Sequence, residues 1–305
     1  MVPGKYSRDQ VNMTDANPIA SRLPPKPAPQ EPSEAEPMPM RPLAVVTGGS
    51  DGIGLAIAKR LAAEGRDLVL IARGVEGLEA ARRQIVGQHP VRVSILPLDL
   101  TVSDATAQID RHLAEQNGFA DLVVNSAGIG LAGPLSEQSK ETIDQLMALN
   151  MTALTRIMRH FAPQMQERGR GGFLNVASLG GYVPGPNQAA YYASKAYVIS
   201  LSEALATELR SSRVRVAVVC PGPVQTAFHA RMGANSSLYR VFLPASRPDT
   251  VARWAVLGYK LGLTVILPGI ISLLTFVMLR LVPHRIGVPL VGALLKPRRR
   301  ETHDV

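Results

Sequence analysis

The chain has 305 residues, 46% apolar and 19% charged, enough to bury one large α/β core or two smaller ones. Cys220 is the single cysteine and the six histidines are scattered, which excludes an internal disulfide framework and argues against a metal site, and favours a reducing, cytoplasmic compartment. The net charge of +9 is concentrated, since residues 251–300 hold eight Lys or Arg and no Asp or Glu. A basic excess in an apolar region suits an anionic membrane surface rather than nucleic acid, for which no aromatic and basic groove pattern is present.

Residues 1–41 form a Pro-, Glu-, Ser- and Ala-rich stretch, with eight prolines between Pro24 and Pro42. It can neither build a hydrogen-bond ladder nor bury much apolar area, so it is expected to be a disordered arm; it lacks the apolar run of a secretory signal. From residue 43 onward, short apolar runs alternate with amphipathic ones. Strands are predicted over 43–47, 67–72, 91–96, 121–125, 172–177 and 214–219. Helices are predicted over 53–64, 76–88, 103–116 and 191–210. Near-continuous apolar strands separated by helical segments predict a doubly wound, Rossmann-like parallel sheet of about seven strands over residues 42–268, with helices on both faces.

The first strand runs into Thr47-Gly48-Gly49-Ser50-Asp51-Gly52-Ile53-Gly54, directly before a helix. Glycines there let backbone N–H groups approach a pyrophosphate at the helix N-terminus. The second strand ends Ala72-Arg73, with no acid to bind a ribose 2′-hydroxyl; Arg73 suits a 2′-phosphate instead, which favours NADP(H). Asp51, inside the loop, is a departure, because a basic residue is common there in NADP enzymes. Further along, Tyr191 and Lys195 stand four apart at the opening of a helix and so share a face. An ammonium beside a phenol stabilises phenolate, so such a Tyr can exchange a proton with a carbonyl or alcohol oxygen. Tyr192 is one residue out of register and is expected to pack.

These motifs, in this order, resemble the short-chain dehydrogenase/reductase family over about residues 43–270, in its standard single-domain branch. The C-terminal part is similar to a bacterial subgroup of ketoacyl or short-chain reductases. The resemblance implies catalytic roles for Ser178, Tyr191, Lys195 and Asn150, with Ser178 polarising the substrate oxygen and Asn150 holding a water beside the lysine. It implies cofactor contacts from Gly48, Ser50, Asp51, Gly52, Ile53, Gly54, Arg73, Asp99 and Leu100. Asn125, Ala127 and Gly128 (with Ser126 where the family usually has Asn), Tyr191, Lys195 and the Pro221-Gly222 turn with Val224 and Thr226 complete that set. Residues 228–246 would lid the substrate pocket, Cys220 would be a buried apolar residue, and dimers or tetramers are common in such proteins.

Residues 261–279 contain no charge, which is long enough for a membrane span. The Pro268-Gly269 pair in the middle and the arginines beyond it argue against one. The expected arrangement is a last strand over 264–267, then apolar helices over 270–282 and 286–295, within an extension running from 269 to 305 that covers the pocket, joins subunits or lies on the membrane. The expected activity is hydride transfer between NADPH and a hydrophobic ketone or secondary alcohol. The alternatives are a dinucleotide sensor without turnover and a membrane-associated scaffold on the same fold.

Overall fold

The computed structural model describes residues 39–233 and 244–296. Most of the proline-rich arm, part of the expected lid and the terminal arginine cluster lie outside the described residues. The strands are β1 (Arg41–Thr47), β2 (Asp67–Ala72), β3 (Val93–Pro97), β4 (Gly118–Asn125), β5 (Gly171–Val176), β6 (Val214–Val219) and β7 (Val265–Ile266). They form one sheet in the order β3-β2-β1-β4-β5-β6-β7, and every neighbouring pair is parallel. The chain builds outward from β1 to β3, then crosses back to β4 and builds the other way. Beyond the carboxyl ends of β1 and β4 this reversal leaves a crevice.

Alternation along each strand feeds two cores. Leu43, Val45, Val69 and Ile71 point to one face, where they meet α3 (Ala105–Glu115), α5 (Leu154–Arg168) and α6 (Ala189–Glu208). Ala44, Val46, Leu68 and Leu70 point to the other, against α1 (Gly52–Ala63), α2 (Val75–Val86) and α8 (Pro248–Lys260). Burial on both faces explains why these strands read as continuous apolar runs. Arg41 already belongs to the sheet: its guanidinium pairs with Asp67 at 2.7 Å and bonds the Gln116 carbonyl at 2.8 Å, so the fold begins one residue earlier than composition suggests.

The helices α4 (Lys140–Met147), α5 and α8 were not among those predicted from periodicity. Pro248 opens α8 at its first turn. The Ser139 hydroxyl caps α4, which joins α5 through a π-helical turn over Ala148–Ala153. That wider turn places Asn150. After β7 come α9 (Ile270–Leu281) and α10 (His284–Leu295), close to their predicted bounds. Among the described residues no helix is long and apolar enough to cross a membrane.

Candidate active site

The crevice is a continuous groove. Its first half is lined by Ser50, Arg73, Asp99 and Leu100, and its second by Gly52, Ile53, Gly54, Ser178, Tyr191 and Lys195. Gly48, Asp51, Ala127 and Gly128 border both halves. The sequence motifs, scattered over almost 180 positions, thus meet along one channel.

The glycine loop is folded by contacts only glycine allows. Gly52 has φ +56°, and a Cβ on Gly54 would overlap the Gly48 carbonyl. Beneath it, the Thr47 hydroxyl accepts from the Ser126 and Ala127 N–H groups at 3.1 and 3.2 Å, pinning the end of β4 against the loop. Asp51 sits at the N-cap of α1 yet gives that helix no side-chain cap. Its carboxylate instead pairs with Arg231 at 2.7 Å. The first turn of α1 therefore presents uncapped backbone at the groove, the arrangement a phosphate requires. At the other end of this half, the Thr101 N–H and hydroxyl bond the Asp99 carboxylate and, with help from Arg73, hold its pKa below the usual range. Arg73 itself is exposed and makes no ion pair among the described residues. A dinucleotide fits this groove, which offers uncapped backbone N–H groups at the glycine loop and an exposed guanidinium at its other end.

Asn125 takes no part in the lining. Its side chain is buried in the sheet, where Nδ2 donates to Asn175 Oδ1 at 2.8 Å; Asn175 in turn donates to Ser202 at 2.8 Å. It holds β4, β5 and α6 together below the groove. The pleat turns its side chain into the sheet, while Ala127 and Gly128 emerge at the groove.

Ser178 follows β5 and caps a short 3₁₀ turn over Leu179–Tyr182, its hydroxyl accepting from Gly180 N–H at 3.1 Å. Tyr191 lies in the first turn of α6, where the positive end of the helix dipole favours an anionic oxygen. Its ring centroid is 5.8 Å from the Lys195 ammonium. Lys195 is buried and donates to the Val176 carbonyl at 3.0 Å; burial brings its pKa down from 10.5 to about 8. The amide of Asn150 is taken up by protein: Oδ1 accepts from Ile129 N–H at 2.9 Å, and Nδ2 donates to the Ile129 carbonyl at 2.8 Å and to Ser194 Oγ at 3.1 Å. Those partners tie the π-helical turn to α6 and to the loop after β4. Asn150 and Lys195 both border Gly128, where a Cβ would come within 3.1 Å of the amide oxygen and 3.6 Å of the ammonium.

The Pro221-Gly222 turn, Val224 and Thr226 line the second half of the groove. Cys220 is buried with its Sγ 3.7 Å from the Tyr182 hydroxyl, and burial pushes its pKa up to about 12, so the thiol stays protonated and inert at neutral pH. Tyr192 does pack, over Gly180 and Gly185, but its ring also forms cleft wall. Of the expected lid, α7 (Phe228–Arg231) is described and covers the groove; Phe228 stacks against Tyr191 with centroids 5.6 Å apart. Residues 234–243 lie outside the described residues.

Sequence reasoning did not single out Arg231, whose pairing with Asp51 spans 180 positions and leaves no local signal. It also did not assign the cleft residues Thr275 and Leu279 of α9 and Val291, Leu294 and Leu295 of α10. Their spacing of three and four was readable as one helical face. With them the second half of the groove becomes a largely apolar cavity of about 380 Å³. Among the described residues no cluster of His, Cys, Asp and Glu could hold a metal.

A Rossmann-like sheet whose switch-point crevice joins a glycine loop to a Ser, Tyr and Lys cluster defines a nicotinamide-dinucleotide oxidoreductase. The short chain dehydrogenase family model matches residues 42–237, and the chain belongs to that family of enzymes. It is 33% identical over 188 residues to the D-beta-hydroxybutyrate dehydrogenase of Rhizobium meliloti, covering 61% of this chain and 73% of that one. A short-chain dehydrogenase from Sphingobium yanoikuyae, solved in complex with NADPH, is 33% identical with a TM-score of 0.68, over 74% of this chain and 86% of its own. The bulky-bulky ketone specific alcohol dehydrogenase of Comamonas testosteroni is 28% identical with a TM-score of 0.66, over 76% and 87%.

Proposed function

We propose that this enzyme reduces hydrophobic ketones with NADPH, at the inner face of the cytoplasmic membrane. The observation that carries the reading is the juxtaposition of Ser178, Tyr191 and Lys195 on one wall of an apolar cavity that continues into the Arg73 groove. Arg73 would take the 2′-phosphate. Asp51 would repel phosphate if unpaired; the Arg231 guanidinium neutralises it, which makes an acid in the loop compatible with a phosphorylated cofactor.

NADPH, held by the glycine loop and Arg73, would supply a hydride for the carbonyl carbon. Tyr191 then gives its hydroxyl proton to the carbonyl oxygen, and a secondary alcohol results. Ser178 Oγ donates a hydrogen bond to the same oxygen, stabilising the charge that develops there. The Lys195 ammonium and the N-terminus of α6 stabilise the phenolate left behind until solvent returns the proton. Asn150 acts as a positioning residue, fixing α6 against the loop that carries Gly128. Phe228, Tyr192 and the inner faces of α9 and α10 exclude water and accept the hydrocarbon part of the substrate.

The test is consumption of NADPH with medium-chain ketones by the wild type and by Tyr191→Phe. The variant is expected to bind NADPH normally, by fluorescence, and to lose turnover by about 10²-fold or more. Wild-type protein that binds NADPH yet reduces no ketone in the panel would point instead to a sensor.

A further inference from the structure

We propose that the α9–α10 hairpin is a membrane-docking element that is also the wall of the substrate cavity, so that the substrate is a carbonyl compound dissolved in an anionic bilayer and enters from it. This rests on the reductase reading for its chemistry but on separate residues for its docking.

The two faces of the hairpin carry the argument. On α9, Ser272, Thr275, Phe276 and Leu279 recur at helical spacing and turn inward; Thr275 and Leu279 line the cavity. The opposite stripe, Ile270, Leu274, Val277, Met278 and Leu281, faces solvent, with Ile270 74%, Leu274 61% and Leu281 70% exposed. Next to it on α10, Ile286 and Leu290 are exposed by 64% and 58%, while Val291, Leu294 and Leu295 line the cavity. A row of large aliphatic side chains this long, on two consecutive helices, exceeds the scattered apolar exposure of ordinary surfaces. Its other side is the pocket that receives the substrate.

Charge selects the occupant. Between residues 261 and 296 the charged side chains are Arg280, Arg285 and Lys296, with no carboxylate among them. All three are exposed. A second copy of this chain seated on the patch would bring three cations against three cations with no acid in either hairpin to pair them, which like-charge repulsion opposes. An anionic headgroup layer offers the complementary sign at the rim and hydrocarbon at the centre. Neither helix is long enough to cross, so the hairpin would lie in the interface plane, its inner face still closing the cavity.

The experiment compares wild type with Leu274→Glu/Leu281→Glu, a change confined to the outer stripe. Co-sedimentation with phosphatidylglycerol vesicles reads docking; phosphatidylcholine vesicles test the role of charge. NADPH consumption is followed with a short water-soluble ketone and with a long-chain ketone carried in the phosphatidylglycerol vesicles. The wild type is expected to sediment with the anionic vesicles only. The variant is expected to lose sedimentation and about tenfold in turnover of the vesicle-borne ketone, with soluble-ketone turnover held within about twofold, which also shows that it is folded. Wild-type protein that stays in the supernatant with anionic vesicles overturns the proposal. So does a variant that binds and turns over like wild type, or a wild-type dimer that the variant converts to monomer. Sedimentation as expected with no reduction of either ketone would uphold docking and sink the reductase reading alone.

Discussion

Lys195 should be a residue that the enzyme keeps at the expense of its own stability, and Lys195→Met is the perturbation that measures this. Burial lowers the Lys195 pKa from 10.5 to about 8, so the folded state holds the ammonium less readily than the unfolded chain does. A group whose folded pKa is depressed in this way, being a base, carries its full penalty wherever both states are protonated, below about 8; the penalty disappears as pH rises through 10.5. At roughly 1.4 kcal/mol for each tenfold change in proton affinity, that gap corresponds to about 3 kcal/mol. Against this, methionine leaves the Val176 carbonyl without its 3.0 Å donor, which costs about 1 kcal/mol at either pH. Near neutral pH the variant should therefore be more stable than wild type by about 2 kcal/mol, and above pH 10.5 slightly less stable. The swing of about 3 kcal/mol between the two conditions is the quantity to trust, because the lost hydrogen bond and the packing of the methionine cancel from it. Paired urea titrations of wild type and variant at neutral and alkaline pH read it directly, and the comparison removes every other titrating group. A swing under about 1 kcal/mol would refute the reasoning, since it would mean that the ammonium is not desolvated in the folded chain.

The same titration should be visible in activity: kcat/KM for ketone reduction is expected to fall as pH rises through about 8, because Lys195 loses the charge that stabilises the Tyr191 phenolate; a profile flat to pH values well above 8 would separate the lysine from proton transfer. Arg73→Ser should weaken NADPH binding about tenfold or more while changing NADH binding by less than about threefold, measured by fluorescence titration; equal losses would make Arg73 a general phosphate contact. Arg231→Ala should leave Asp51 unpaired beside the phosphates and weaken both dinucleotides several-fold, and Asp51→Asn in the same chain should restore binding. Asn175→Ala removes a buried amide that bonds Asn125, Ser202 and Met158, and should destabilise the fold by about 2–4 kcal/mol by urea titration, since the Asn125 amide and the Ser202 hydroxyl left behind each lose a hydrogen bond.

The sheet was legible because its strands are buried on both faces: runs such as 67–72 and 214–219 have no competing explanation at that length, and the structure returns those two bounds unchanged. The helix that carries Tyr191 and Lys195 was equally open to reading, because the two residues are related by local helical phase. What periodicity missed had non-local causes. The helix α8 carries its apolar stripe against α1, but its polar face and the uncharged run after it blur the pattern. No residue in Ala148–Ala153 announces the π-helical turn at Asn150, whose side chain bonds Ile129 and Ser194, far away in sequence. At Asn125 one pleat separates a side chain turned into the sheet from sequence neighbours that line the groove, a distinction that the motif alone does not carry.

The two long-range features share a physical logic. The Asp51–Arg231 pair joins the glycine loop to α7, and the α9–α10 hairpin closes the cavity from the far end of the chain. Both bring segments beyond the Pro-Gly turn onto a platform built by the first 220 residues. The platform sets what every such enzyme must do, which is to hold a dinucleotide and place a phenol and an ammonium beside the reacting carbon. The later segments decide which molecule may enter. In this chain those segments are apolar and basic with no carboxylate from Val251 to Lys296, and under the docking proposal the same two helices select substrate with their inner stripe and meet a membrane with their outer one. Substituting the inner stripe, for example Leu279→Ala, should therefore alter which soluble ketones are reduced without altering where the enzyme docks, whereas outer-stripe substitutions should alter docking and leave the choice among soluble ketones unchanged.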